Sequence, residues 1–283
     1  MSALYALPVV SALFYVIGSF FYKKAGQSGV GLTRLCFLQG LGTLLAFGFL
    51  ALLSPSTHLT LPSVSASAAG ACFFAGWFFS LLAIRHGSIS LQTPLMGMKV
   101  LFVAGIAVMI GQRSGNDPRL WIATGISALA LVILGMPAKA DREKVGITFF
   151  FVTLCCAFFA VADVLIAEFG NKAGDPIGFL FEVMLINALF CIALVPTFRG
   201  PLPSARSSAF RWSALGVLAM IAQVVTFVGF MSLNGDASDA NVLFSLRGLF
   251  AVLMAGTMTR FLDLPLETRL RRTTYQRAIG ASL

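Results

Sequence analysis

Charged residues are scarce in this chain of 283 residues: they make up 11% of it, against about a quarter in soluble domains. Hydrophobic residues make up 58%, and the mean hydropathy is +0.90. We therefore predict an all-α integral membrane protein with several crossings. The 20 basic residues outnumber the 11 acidic ones. Most basic residues lie in short loops, where membrane orientation explains them, so no nucleic acid partner is expected.

Metal-ligating and reactive residues are also few. The two histidines, His58 and His86, stand far apart, and the five cysteines all lie in apolar segments without a metal-binding spacing. The sequence contains no nucleophile motif, no aspartate-rich diphosphate motif and no glycine-rich phosphate loop. We therefore expect no cofactor, no metal and no catalytic residue, and we do not predict an enzyme.

Apolar segments long enough to cross a bilayer recur along the chain. A hydrocarbon core about 30 Å thick needs about 20 apolar residues per helix. Glycine, proline and charged residues separate nine such segments, at 3–22, 30–53, 65–84, 88–110, 119–137, 146–169, 177–197, 212–232 and 239–262. A last apolar stretch, 278–283, is expected to open a tenth helix that is cut short.

The second half of the chain repeats the pattern of the first. A shift of 148 residues aligns Lys24-Ala-Gly26 with Lys172-Ala-Gly174, Gly87 with Gly235, and Leu101-Phe102 with Leu249-Phe250. The chain therefore divides into two five-helix repeats, 1–138 and 139–283. Because five is odd, the second repeat enters the membrane the opposite way up. This predicts a ten-helix (5+5) inverted-repeat bundle, an arrangement typical of secondary transporters.

Basic residues are divided unevenly between the loops. The loops after odd-numbered helices carry nine Lys and Arg, and those after even-numbered helices carry three. The positive-inside rule then places the odd-numbered loops in the cytoplasm and the N-terminus outside. We expect the chain to lie in a bacterial inner membrane.

Two cations lie deep in apolar segments, where insertion scales give a cost of at least a few kcal/mol each. Lys99 and Arg247 stand 148 residues apart, and each lies 12 residues past a glycine of the repeat. That distance is about 18 Å along a helix, close to the midplane. Inversion leaves the midplane depth unchanged, so the two cations can meet. They would form a clamp for a substrate anion, a gating pair, or a structural ion pair with a buried carboxylate.

Asp163 and Asn241 are the nearest polar candidates for the same site. Asp163, in the middle of the sixth predicted helix, is a possible counter-ion for either cation, which would keep it ionised. A proton-coupling role and a purely structural role stay open. Asn241 begins a small polar stripe that continues with Ser245 and Gly248, one helical turn from Arg247.

Two further polar pairs are related by the same shift of 148 residues. Arg34 matches Glu182, and Gln39 matches Asn187. These side chains would line the cavity, extend to the membrane interface, or hydrogen-bond a neighbouring helix. Trp77 is a possible cavity wall, and Pro94 permits a kink in the fourth predicted helix.

The pattern resembles the drug/metabolite transporter superfamily, and within it the ten-helix EamA-like group. The repeat, the chain length and two hairpins carry the resemblance, Ala83-Ile-Arg-His-Gly-Ser-Ile-Ser90 and Met231-Ser-Leu-Asn-Gly-Asp-Ala-Ser238. Gln112 departs from the family pattern by standing in the acidic position of a Gly-Glu-Arg-like element. The short tenth helix departs from it too, and so does the outside N-terminus. Plastid sugar-phosphate translocators of this superfamily hold an anionic substrate with basic residues placed like Lys99 and Arg247.

These features predict a secondary transporter that moves a small anionic or zwitterionic metabolite by alternating access. Coupling would be to protons or to a counter-solute, and the protein would be a monomer or a homodimer. The alternative is a flippase or carrier for a phosphate-bearing lipid headgroup, held by the same cations. A channel is disfavoured, because two opposing cations make a poor conduction path.

Overall fold

The computed structural model describes residues 3–54, 62–87, 89–110, 121, 122, 125, 142–198, 204, 206–235 and 237–262. Within these ranges the secondary structure is helical, without strands. The α-helices, numbered in chain order, are α1 Ala6–Gln27, α2 Leu32–Leu53, α3 Val64–His86, α4 Ile89–Leu95, α5 Met98–Met109, α6 Arg142–Lys172, α7 Pro176–Ala193, α8 Ser208–Asn234, α9 Ala237–Phe244 and α10 Arg247–Leu262. Short 3-10 turns, Ala3–Tyr5 and Val195–Thr197, precede α1 and follow α7.

Seven helical segments of the described chain are long and apolar enough to cross a membrane. They are Ala6–Gln27, Leu32–Leu53, Val64–His86, Gly146–Gly170, Pro176–Thr197, Ser208–Asn234 and Ala237–Ala255. Large apolar side chains such as Leu45, Leu52 and Leu253 point outward, as expected for a surface in contact with lipid. The chain is therefore a multi-pass membrane protein.

Six of the predicted helices are present as single helices, with ends within five residues of the prediction. Local capping explains several of these ends. The hydroxyl of Ser63 accepts from the Ala66 amide at 3.2 Å at the start of α3, and the Ser207 hydroxyl accepts from Phe210 at 3.2 Å at the start of α8. Gly235 ends α8 with φ of 66°, a left-handed conformation that glycine adopts without strain. Most of the predicted helix 119–137 and the expected tenth helix at 278–283 lie outside the described residues.

The prediction of one continuous helix over 88–110, and of another over 239–262, was wrong. The first is broken at Met96 and Gly97, and the second at Ser245 and Leu246. At both breaks the backbone switches to bonds three residues back, such as the Lys99 amide to the Met96 carbonyl at 3.1 Å. Pro94 lies two residues before the first break and lacks the amide hydrogen that would bond to the carbonyl of residue 90, which weakens the helix next to the break. At the second, the Ser245 hydroxyl donates to the Val242 carbonyl at 2.6 Å and so competes with the backbone.

Long helices from the two halves of the chain pack in antiparallel pairs. Near one end of the α1–α8 pair the rings of Tyr5 and Phe230 lie 5.5 Å apart, and near the other the rings of Phe21 and Trp212 lie 5.8 Å apart. The pairs α3–α6 and α2–α7 follow the same rule. Phe73 contacts Phe159 and His86 contacts Phe151 in the first pair, whereas Cys36 lies beside Cys191 and Gly48 beside Phe181 in the second. The two broken helices also run antiparallel, because α4 packs on α10 while α5 packs on α9.

Gly70 sets the distance between α3 and α7. A Cβ atom placed there would lie 2.5 Å from the backbone oxygen of Val183 and 2.8 Å from Cβ of Ile186. A backbone oxygen cannot turn aside as a flexible side chain can, so any larger residue has to separate the two helices. Small residues of this kind let membrane helices pack closely.

We expect Gly70→Ala to destabilise the bundle by about 1–3 kcal/mol, the usual cost of overpacking. Gly105→Ala is the matched control, because a Cβ atom there meets nothing within 4 Å. This control should be neutral, or stabilising by about 0.5–1 kcal/mol through helix propensity. Melting temperatures of the purified variants in one detergent provide the measurement, and equal values for the two variants would contradict the packing argument.

Candidate functional site

The two helix breaks meet inside the bundle. The guanidinium of Arg247, the first residue after the second break, donates from Nη2 to the carbonyl of Met96 in the first break at 2.9 Å. Each break frees backbone groups far from water, where an unsatisfied group costs several kcal/mol. The Met96 carbonyl also accepts from the Lys99 amide at 3.1 Å, so Arg247 adds a second donor at this carbonyl and links the two broken helices.

Lys99 is neutralised by a carboxylate from the second half of the chain. Its Nζ forms an ion pair with Oδ2 of Asp163 on α6. Asn241 on α9 donates from Nδ2 to the same oxygen at 2.7 Å. All three residues are at most 3% exposed. A paired and hydrogen-bonded carboxylate offsets much of the cost of burying the Lys99 charge.

Among the described residues, Arg247 has no carboxylate partner of this kind. It is 2% exposed, and its Nε and Nη1 atoms have no hydrogen-bond partner among the described residues. Its guanidinium carbon lies 4.1 Å from the ring centre of Phe244 and 5.4 Å from that of Tyr15. Aromatic faces attract a cation, by about 2 kcal/mol or more when desolvated, without supplying a compensating charge.

Tyr15, on α1, is held by its own set of polar contacts. Gln92 on α4 donates from Nε2 to the Tyr15 hydroxyl at 3.2 Å. The hydroxyl in turn lies 2.9 Å from the sulfur of Met96 and 3.1 Å from the hydroxyl of Ser80. The phenol is therefore fixed beside Arg247.

A small cavity lies between these groups. Lys99, Asp163 and Arg247 supply its charges, and Gln223 adds an amide. Its walls are mainly aromatic and aliphatic, from Tyr15, Phe73, Trp77, Phe159, Phe227 and Phe244 among others. The free volume open to the centre of a water-sized sphere is about 20 Å³, which is room for one or two waters. The centre is thus closed around two cations and one carboxylate.

A wider cavity of about 400 Å³ opens where α1 ends, α2 begins and α3 ends. We call it the vestibule, and its lining includes Tyr22, Lys23, Leu35, Leu81 and Arg85. Nζ of Lys23 donates to the Ile84 carbonyl at 2.7 Å and to that of Gly87, so this lysine is fixed at the end of α3. Two basic residues, Lys23 and Arg85, therefore line the vestibule.

One layer of side chains separates the vestibule from the central cavity. Tyr22 lines the vestibule, Trp77 lines the central cavity, and their ring centres lie 5.8 Å apart. The Tyr22 hydroxyl donates to Oε1 of Gln39 at 2.8 Å. Nε1 of Trp77 and Nε2 of Gln39 are buried and have no partner among the described residues. These two N–H groups are therefore available to donate hydrogen bonds to a ligand that moves the layer aside.

The structure brings five of the nine predicted site residues to the central cavity or its direct contacts: Lys99, Arg247, Asp163, Asn241 and Trp77. The other four lie elsewhere. Arg34 lies 5.7 Å from the ring of Phe198 past the end of α7, whereas Glu182 accepts from the Ser63 amide at 3.0 Å. Gln39 borders the layer around Tyr22. Asn187 lies beside Gly40 between α2 and α7.

Tyr15 is the main site residue that the sequence interpretation missed. An aromatic residue in an apolar helix carries no compositional signal of its own. The shift of 148 residues nevertheless aligns it with Asp163, so the repeat contained the information.

Among the residues that the structure describes, no group of three or more His, Cys, Asp or Glu side chains is placed to hold a metal ion. No protein-family model and no curated protein sequence matches the chain.

Removing one partner of the buried Lys99–Asp163 ion pair should strongly lower the stability of the protein. We expect Asp163→Asn to destabilise the protein by about 3–5 kcal/mol, since it leaves a second buried cation without a partner. The double variant Lys99→Met with Asp163→Asn should regain most of this loss. Melting temperatures in detergent are the measurement.

The exposed Lys172–Glu168 pair provides the control for this prediction. Lys172→Met breaks an ion pair in contact with solvent and should cost less than about 1 kcal/mol. If Asp163→Asn were as mild as Lys172→Met, the buried pair would not carry the stability assigned to it.

The layer formed by Tyr22 and Trp77 should slow the passage of chemical reagents from the vestibule to the central cavity. Leu35 lines the vestibule and Val224 lines the central cavity, and both are 3% exposed. In a background without the native cysteines, Leu35→Cys should react with a charged, water-soluble thiol reagent several times faster than Val224→Cys. Equal rates would mean that the layer does not close the centre.

Proposed function

We propose that this protein is a secondary transporter that carries a small anionic or zwitterionic metabolite by alternating access. The single observation that carries the proposal is the meeting of two buried cations, one on each broken helix, around a closed central cavity. Discontinuous helices that meet at depth are the usual construction of a transporter site. A cation buried in a membrane protein is by default a functional candidate, because it is costly to retain otherwise.

The proposed architecture is the ten-helix inverted repeat with halves 1–138 and 139–283. Three features support it. The breaks lie within one residue of the positions related by the shift of 148, the two broken helices are antiparallel, and each cation faces a helix of the other half. The EamA-like group of the drug/metabolite transporters is the family that this proposal favours.

The vestibule and the closed centre suggest one stage of a transport cycle. The vestibule lies at the α1–α2 and α3–α4 connections, whose basic residues favour the cytoplasmic side. We place the protein in a bacterial inner membrane with the vestibule open to the cytoplasm. Displacement of the Tyr22–Trp77 layer would join the vestibule to the central cavity. In the opposite stage of the cycle, the central cavity would open to the other side of the membrane while this layer stays closed.

Transport by reconstituted vesicles tests this function. Proteoliposomes preloaded with lactate, succinate, citrate or alanine are mixed with the same labelled compound outside, and counterflow is followed. We expect uptake of at least one compound, with Lys99→Met and Arg247→Met each reducing the initial rate by about tenfold or more, because each variant removes one desolvated charge from the site.

Lys172→Met is the matched control, since it makes the same change at an exposed lysine and should leave the rate unaltered. Vesicles with a fluorescent phosphate-bearing lipid report headgroup translocation in parallel. Unchanged uptake by the Lys99→Met, Arg247→Met double variant would overturn the central site. Lipid translocation without solute uptake would favour the flippase instead.

A further inference from the structure

The two buried cations face different kinds of side chain, each of which comes from the other half of the chain. Lys99 faces Asp163 at the equivalent place where Arg247 faces Tyr15. The shift of 148 residues aligns both the cations and these two facing residues. One half thus supplies a carboxylate where the other supplies a neutral phenol.

Each of the two facing residues also accepts from an amide, although the two amides are one residue out of register, since the shift of 148 aligns Gln92 with Ala240. Asn241, on the first part of one broken helix, donates to Asp163 at 2.7 Å. Gln92, on the first part of the other, donates to the Tyr15 hydroxyl at 3.2 Å. Each facing residue thus has one amide donor, and the clearest difference between the two is the charge of Asp163.

This contrast leaves one positive charge uncompensated. Lys99 and Asp163 neutralise each other. Arg247 donates a hydrogen bond from Nη2 to the Met96 carbonyl, which carries no net charge. Its Nε and Nη1, which carry three of the five guanidinium N–H groups, have no partner in the described part of the chain. An unpaired buried charge costs several kcal/mol, and a ligand anion would remove that cost.

We propose that Arg247 and Tyr15 form the anion subsite, and that the transported solute binds there with one carboxylate and carries one net negative charge. In this arrangement Lys99 is held by Asp163 and does not bind the anion. The carboxylate accepts from the N–H groups of Arg247 that have no partner among the described residues, and the ring of Tyr15, 5.4 Å from the guanidinium carbon, forms a neutral wall beside it. The proposal rests on the proposed transport function and narrows its substrate class to monocarboxylates.

The first test asks whether Lys99 is a ligand or only a partner of Asp163. Lys99→Met leaves the Asp163 charge unopposed beside Arg247, so uptake of labelled lactate should be lost. Adding Asp163→Asn removes that charge, and uptake should recover to within about threefold of the unaltered protein, less than the tenfold change expected for a lost charged contact. If the double variant stayed as inactive as Lys99→Met, Lys99 would be an anion ligand and the proposal would be wrong.

The second test supplies the missing charge. Tyr15→Glu places a carboxylate near Arg247, as Asp163 does for Lys99, and keeps the Arg247 bond to Met96 available. Tyr15→Gln is the neutral match of similar size. Lactate uptake should be abolished by Tyr15→Glu and only reduced by Tyr15→Gln. Equal loss in both variants would indicate a packing role for Tyr15 and would contradict the subsite.

The same pair of variants gives a readout that does not need transport. Without any solute, Tyr15→Glu should melt at least about 3 °C above Tyr15→Gln, because it neutralises the buried guanidinium. If no compound is carried but this difference appears, the transport function fails while the charge asymmetry stands. A lower melting temperature for Tyr15→Glu would overturn the inference itself.

The four solutes differ in net charge, so their relative uptake tests the charge of the transported solute. Lactate should be carried in preference to alanine, succinate and citrate, which have net charges of about 0, −2 and −3 near neutral pH. Preference for any of these three would reject the single-charge substrate while leaving a transporter in place.

Discussion

Polar groups inside the bundle have to find their partners within the protein, because hydrocarbon offers none. This constraint is strongest at the two helix breaks, where backbone groups are released far from water. Arg247 meets part of the demand by donating to Met96 at 2.9 Å, from one break to the other. This bond joins the two breaks, so the position of each broken helix is linked to that of the other. The helices that carry Tyr15 and Asp163 then supply the rest of the polar contacts.

Hydropathy and segment length predict most of the fold, since helix crossing depends mainly on apolar length. They do not predict the breaks. The segments 88–110 and 239–262 are apolar enough for continuous helices, and composition does not report which backbone bonds form. At the first break Pro94 gave a hint, but at the second the competing bond from Ser245 to Val242 is visible only in the structure.

The repeat predicts the centre of the site better than its periphery. Under the proposed inversion, a residue near one face of the membrane is matched by a residue near the opposite face, and Arg34 and Glu182 do lie near different ends of α7. Only residues near the midplane return to the same depth, and Lys99 and Arg247 do meet around one cavity. Spacing alone left the choice of partner for Asp163 open. The partner of Asp163 depends on which helices pack together. In the structure α5 packs against α6, and this brings Lys99 to Asp163.

The asymmetry between Asp163 and Tyr15 has a consequence for how such a carrier would cycle. An empty centre holds one uncompensated cation, and a centre loaded with a monoanion holds none. Moving an uncompensated charge through the closed state costs more than moving a neutral complex, because the surrounding dielectric is low. The loaded protein should therefore change state faster than the empty one. A carrier built in this way favours exchange of one solute for another over net movement, which makes a counter-solute rather than a proton the simpler coupling partner.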